Sequence, residues 1–310
     1  MTLVPFRATG FIPVPAGARP GFDHADLYLG REHESRLYVA HTGADRVDVI
    51  DCSSNVYLRE LPDHPGVAGV LIDSEQDLLL TSDRGCARIT AYHCSNESLI
   101  ARVDVGPLPN GIAYDSARRN VFAFNLGDPI GENCSASVVS LSDMSVIETI
   151  PLPGRPRWAV HDAERDRVYA NVREPAQIVV IGAGDLSIVA TFNVPYAGPH
   201  GLALVGDRLF CAVDAGELVA LRRDDGGLIG STDLPGEPDV IMHDAELERL
   251  FVAVGDPGVV VVVDDATLRV IETVETEGRA HTIAWNADNK TLYAFLPVRC
   301  GVLALTEADR

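Results

Sequence analysis

The chain has 310 residues, 46% of them hydrophobic but only 6% aromatic, with 27 glycines, 19 prolines and a formal net charge of −20. That apolar fraction excludes a disordered chain and promises a sizeable core. The acidity excludes nucleic acid as a partner, since a phosphate-binding surface must be basic, and argues equally against an anionic membrane surface.

Residues 5–14 (PFRATGFIPV) read as an isolated strand ahead of the first turn. The start lacks a charged segment followed by a long apolar run, so neither a secretion signal nor a membrane anchor is expected. Six cysteines (Cys52, Cys86, Cys94, Cys134, Cys211 and Cys300) have no CxxC spacing. Free thiols in a reducing, cytoplasmic setting are the expectation.

From there the chain repeats one plan: a Gly/Pro turn, a short apolar strand, an acidic turn, a strand like LYVA, a polar turn and a third strand. The first segment, PGFDHADLYLG…RLYVAHTGADRVDVID, carries His24 and His41, with His33 in a polar hairpin between them. The second, HPGVAGVLIDSEQDLLLTSDRGCARITAY, carries His64, Ala68, Ser82 and Asp83. The third, GPLPNGIAYDSARRNVFAFN…SASVVSL, carries Asn110 and Asn125 and the long insertion NLGDPIGENCSAS, read as a lid or rim. The fourth, GRPRWAVHDAERDRVYANVREPAQIVVI, carries Arg155, Arg157, Trp158, His161 and Asn171. The fifth, AGPHGLALVGDRLFCAVDAGELVAL, carries His200 and Asp214. The sixth, GEPDVIMHDAELERLFVAVGDPGVVVVVD, carries Asp239, His243 and Asp256. The seventh, GRAHTIAWNADNKTLYAFLPVRCGVLAL, carries His281 and stops after its third strand.

Aligned on the start of the opening strand, the anchors are His24, Ala68, Asn110, Arg157, His200, Asp239 and His281, spaced 44, 42, 47, 43, 39 and 42 residues apart. That period, with short Val/Ile/Leu/Tyr-rich strands, predicts an all-β fold: a seven-bladed β-propeller of four-stranded blades in one domain over 1–310. Connectors such as MSVIETIPL and LRVIETVET alternate apolar and polar residues, as outermost strands half exposed to water should. The N-terminal strand 5–14 is expected to complete the blade of 279–306 and so close the ring without an open edge.

LYVAHTGADRVDVID, LFVAVGDPGVVVVVD and GPLPNGIAYD resemble the repeats of YncE-like (YVTN-repeat) seven-bladed propellers, although the YVTN tetrapeptide occurs only in altered forms. The resemblance covers nearly the whole chain. It implies this fold and, for function, mainly binding proteins.

Radial repetition brings equivalent positions of neighbouring blades together at one axial mouth. His24, His200, Asp239 and His281 from consecutive blades, with His41, are therefore the expected ligands of a divalent metal such as Zn, Fe, Mn or Cu. The bland alternative is that each caps a strand end and bonds to nearby backbone. Arg157 is expected to hold a substrate carboxylate or phosphate, or else to pair with Asp214 or Asp239. Arg155 could act similarly from the rim. Asn110, Asn125, Trp158 and His64 are the remaining candidate substrate contacts. His161 and His243, in the matching pieces AVHDAE and IMHDAE, read as structural residues of the opposite face. His93 and Cys94, adjacent in a strand, point to opposite faces and make no metal pair.

GPHGLAL around His200 is similar to turns of streptogramin lyase-type propellers. That likeness implies a lyase or lactone-opening reaction, with His200 and His281 as metal ligand and general base and Asp239 as ligand or acid. The first functional expectation is thus a metal-dependent enzyme of small molecules (a lyase, or a hydrolase opening a lactone or ester), catalysed by His200, His281 and Arg157. The alternative is a non-catalytic scaffold for a small ligand, peptide or protein. No GxSxG, P-loop or HExxH motif is present.

Overall fold

The computed structural model describes residues 5–30 and 34–308. Its strands form seven four-stranded antiparallel sheets, each with an inner-to-outer order that follows the chain except in the last. There, β1 (Phe6–Pro13) lies outside β28 (Gly301–Glu307), with Phe6 opposite Glu307 and Pro13 opposite Gly301. The chain is a seven-bladed β-propeller closed by its N-terminal strand. His33 lies outside the described residues. Among the described residues, no helix is long and apolar enough to cross a membrane. All six cysteines are free.

The patterning follows from position. Second strands such as β3 (Ser35–His41) are buried along their whole length, whereas outer strands such as β5 (Val56–Leu61) are mostly exposed. A lone blade could not cover both faces of its middle strands, so stability comes from stacking. Seven hydrophobic clusters fill the seven gaps between neighbouring blades. The gap between the last and first blades holds Ile12 of β1 together with Leu37, Phe295 and Val302.

Five of the seven inner strands share a defect that shapes the centre. In β6 (Val67–Asp73), β10 (Pro109–Asp115), β14 (Pro156–Asp162), β18 (Pro199–Val205) and β22 (Pro238–Asp244), pairing is broken just after the first residue. The two residues that fall out of register begin with the anchor in each case. Such a bulge re-aims a side chain, here out of the ladder at the axis. Neighbouring blades hold these loosened turns: Asn171 Nδ2 donates to the carbonyls of His200 (3.0 Å) and Gly201 (2.9 Å), and Ser82 Oγ donates to the carbonyl of Asn110 (2.6 Å).

Candidate functional site

The anchors of blades five, six and seven meet at one mouth, beside a cavity of about 730 Å³ lined by His200, Asp214, Glu237, Asp239, Asp256 and His281 among others. The GPHG turn is built for this approach. Gly198 sits at φ +76°, and a Cβ there would come within 2.6 Å of the Asp214 side chain. A Cβ on Gly201 would collide with the carbonyl oxygen of Asp239. The two glycines therefore let Asp214 and Asp239 close on His200 from either side. The piece that resembles a lyase turn is explained by packing alone.

The result is a continuous arc. Arg173 pairs with Asp214 Oδ2 (2.7 Å), and His200 faces Asp214 Oδ1 through Nδ1 (2.9 Å) and Asp239 Oδ1 through Nε2 (3.3 Å). His281 donates through Nδ1 to Asp239 Oδ2 (2.8 Å) and through Nε2 to the Phe22 carbonyl (2.9 Å). The His281 imidazole, hydrogen-bonded to an acceptor through each nitrogen, carries both protons, whereas His200 is hydrogen-bonded only through Nδ1. Burial opposes the charge on His281, but the Asp239 hydrogen bond and charge outweigh it and lift the pKa to about 9. Burial likewise opposes His200, and the charge of Asp239 with the Asp214 hydrogen bond raises it all the same. Burial alone would raise Asp239, yet His200, His281 and His24 hold it well below the usual carboxylate range.

This arrangement offers a metal little. A cationic imidazole has no lone pair to give, and a divalent ion at the mouth would have to displace a proton from His281. The fit of His200, Asp239 and His281 as arranged is to each other. Among the described residues, a single trio of His, Cys, Asp or Glu has ligand atoms all within 4.8 Å of one another: Asp115, His161 and Asp166. It lies at the other end of the inner strands, so His161 sits beside a metal-like group that the sequence did not single out. Arg118 bridges its two carboxylates, at 2.7 Å from Asp115 and 2.6 Å from Asp166, and supplies a cation already.

Other candidates are placed elsewhere. His41 is 1% exposed and bonded to Asp48 (2.6 Å), so it faces its own blade and not the mouth. His64 is fully buried, not on the rim, with Nδ1 on Asp83 (2.9 Å) and Nε2 on the Tyr92 hydroxyl (3.0 Å). Ser82, Asp83, Asn125 and Asn171, at the ends of the second strands of their blades, are fully buried framework residues, whereas Asp214 and Asp256, just past the second strands of blades five and six, line the mouth. Asn125 donates to Ser135 and Ser137. Asn110 is buried between Arg84, whose guanidinium it accepts, and the Arg157 carbonyl. Arg155 donates to the carbonyls of Asp128 and Pro129 and so fastens the blade-three insertion. His243 bonds to Asp265 (2.8 Å), in keeping with its structural reading.

Trp158 crosses the axis. Its ring stacks on that of His24, 4.1 Å between centroids and tilted by 41°. Blades one and four thus plug the channel at anchor level. His24 is 7% exposed, and burial, outweighing the charges of Asp23 and Asp239, lowers its pKa. Arg157 lies beside this arc, close enough for Asp239 and Asp214 to act on its charge, whereas Arg279 is the arginine that lines the cavity. Arg84 and Arg173 have acid partners in Asp23 and Asp214, but among the described residues Arg157 has none, and its Nε is buried without a hydrogen bond. Burial, then the neighbouring Arg173, lowers its pKa.

No family model and no curated protein matches the sequence. Solved structures do match in shape. A chain of Kuenenia stuttgartiensis hydrazine synthase has 12% identity and a TM-score of 0.79, over 92% of this chain and 95% of that one. A chain of the mitotic checkpoint complex has 10% identity and a TM-score of 0.82, over 100% and 94%. The WD40 repeats of RRP9 have 10% identity and a TM-score of 0.81, over 98% and 97%. At such identities the likeness is to the seven-bladed propeller fold alone.

Proposed function

We propose that the protein is a small-molecule-binding propeller whose axial mouth takes a polar ligand bearing a carboxylate or phosphate. The observation that carries this reading is Arg157, a partly buried guanidinium without an acid partner in a chain with 45 acidic and 25 basic residues. A planar fork of donors in such a place fits a ligand acid. The cationic His281 adds positive charge beside it, while Glu237 and Asp256 at the rim can accept from hydroxyl or amino groups of the same molecule. The repeats' likeness to YncE-like binding propellers supports the reading. His281 is not placed to act as a base, because both of its ring nitrogens donate hydrogen bonds, to Asp239 and to the Phe22 carbonyl.

A thermal-shift panel of small carboxylates and phosphate esters tests this, run on metal-stripped wild type and on Arg157→Met. Stabilisation of the wild type by an acid, and its loss in the variant, is the expected outcome. Stabilisation that requires added zinc or manganese would replace this reading with the metal site.

A further inference from the structure

Below the His24–Trp158 plug the channel widens into a second cavity of about 610 Å³, open toward the opposite face. Its wall is mainly aliphatic and aromatic, with Tyr114 and Trp158 among the lining residues. Its polar groups besides the carboxylates are His24, His161 and His243 and the hydroxyls of Ser74, Tyr114 and Ser116. Asp26, Asp73 and Glu75 line it, no Lys or Arg does, and among the described residues none of the three acids has a cation within ion-pair distance. Arg119, which could have served, donates to Gln76 Oε1 (3.2 Å). Asp26 bonds only to the backbone N–H groups of Leu27 (2.8 Å) and Ile72 (2.7 Å). His24 also lines this cavity. It is more than nine-tenths buried, and among the described residues neither ring nitrogen makes a hydrogen bond; the one contact is Nε2 to Asp23 at 3.4 Å. With Nε2 turned to that carboxylate, Nδ1 is left as an acceptor.

We infer that this lower cavity is a second binding site, for a small organic amine: an ammonium group carried on an apolar body. The apolar volume is of the size that small-ligand sites use. Three carboxylates without an ion-pair partner and two aromatic rings favour a cation that can donate hydrogen bonds. A neutral apolar molecule would leave the carboxylates unpaired.

The test is calorimetric titration of the full chain with phenethylamine and with 2-phenylethanol, which has the same ring and chain but no charge. Phenethylamine should bind at least tenfold tighter. Asp26→Asn should weaken it about tenfold, and so should the double variant Asp73→Asn/Glu75→Gln, whose changes lie near the open end and leave the inter-blade cores untouched. Arg157→Met, above the plug, should leave amine affinity unchanged, which separates this site from the mouth. Equal affinity for the two probes overturns the inference. So does amine affinity unchanged in the double variant, or lost in Arg157→Met.

Discussion

Asp239→Asn should uncouple the two mouth histidines. The carboxylate accepts from His281 at 2.8 Å and lies 3.3 Å from His200. A rise of the His281 pKa from 6.5 to about 9 corresponds to about 3 kcal/mol of preference for the cation, at about 1.4 kcal/mol per pKa unit. The His281 side chain is 38% exposed, so solvent screening reduces the useful coupling to about 1–2 kcal/mol. The sign follows from a folded pKa above the unfolded one: the stabilisation is complete below pH 6.5 and disappears as the pH rises through about 9. His200, raised by the same carboxylate, acts in the same direction. Wild type should therefore lose about 1–2 kcal/mol of unfolding free energy over that window, and Asp239→Asn should lose little. Nitrogen-15 NMR of labelled imidazoles reads the titration directly, and urea unfolding at several pH values reads the linkage. A wild-type His281 midpoint at or below 6.5, or one that Asp239→Asn leaves in place, would refute the arc as described.

Three further outcomes are expected from the packing. Gly201→Ala should cost about 2–4 kcal/mol in urea unfolding, because its Cβ meets backbone and not a movable side chain; a loss under about 0.5 kcal/mol would show that the anchor turn is not tightly held. His64→Ala should cost about 2–4 kcal/mol, since it leaves a cavity and removes the buried bonds to Asp83 and the Tyr92 hydroxyl, Asp83 keeping Thr81, Thr90 and Arg88; ligand affinity of the folded fraction should stay unchanged, as a rim residue's would not. Deleting residues 1–13 should expose the edge of β28 and remove Phe6, whose ring meets that of Phe251 at 5.4 Å. Gel filtration should then show association or aggregation; a monomer as stable as the full chain would contradict ring closure by β1.

The propeller was legible because its period is written in short-range patterns: turn, inner strand, LYVA-type strand. Ring closure could be read because a missing fourth strand at one end matches a spare strand at the other. The arrival of His200, Asp239 and His281 at one mouth followed from the same register. What they do there did not, because it depends on partners 14 to 42 residues away, Asp214 for His200 and Asp239 for His281. The same gap explains His41 and His64, which look like mouth residues by position until Asp48, Asp83 and Tyr92 are seen to enclose them. Trp158 was placed on the correct ring but its reach across the axis to His24 depends on the channel's width. Asp26 passed unremarked inside the strand ADLYL. An acid two residues after the anchor, where every other blade has an apolar residue, was the available signal for the lower cavity.

The central claim is that Arg157 presents an unpaired cation to ligands at the mouth, and anomalous diffraction from a bromide-soaked crystal tests it most directly. Bromide should occupy a position beside the Arg157 guanidinium in the wild type and vanish from it in Arg157→Met. Bromide at exposed arginines but absent from Arg157, or retained at the same position in the variant, would contradict the claim.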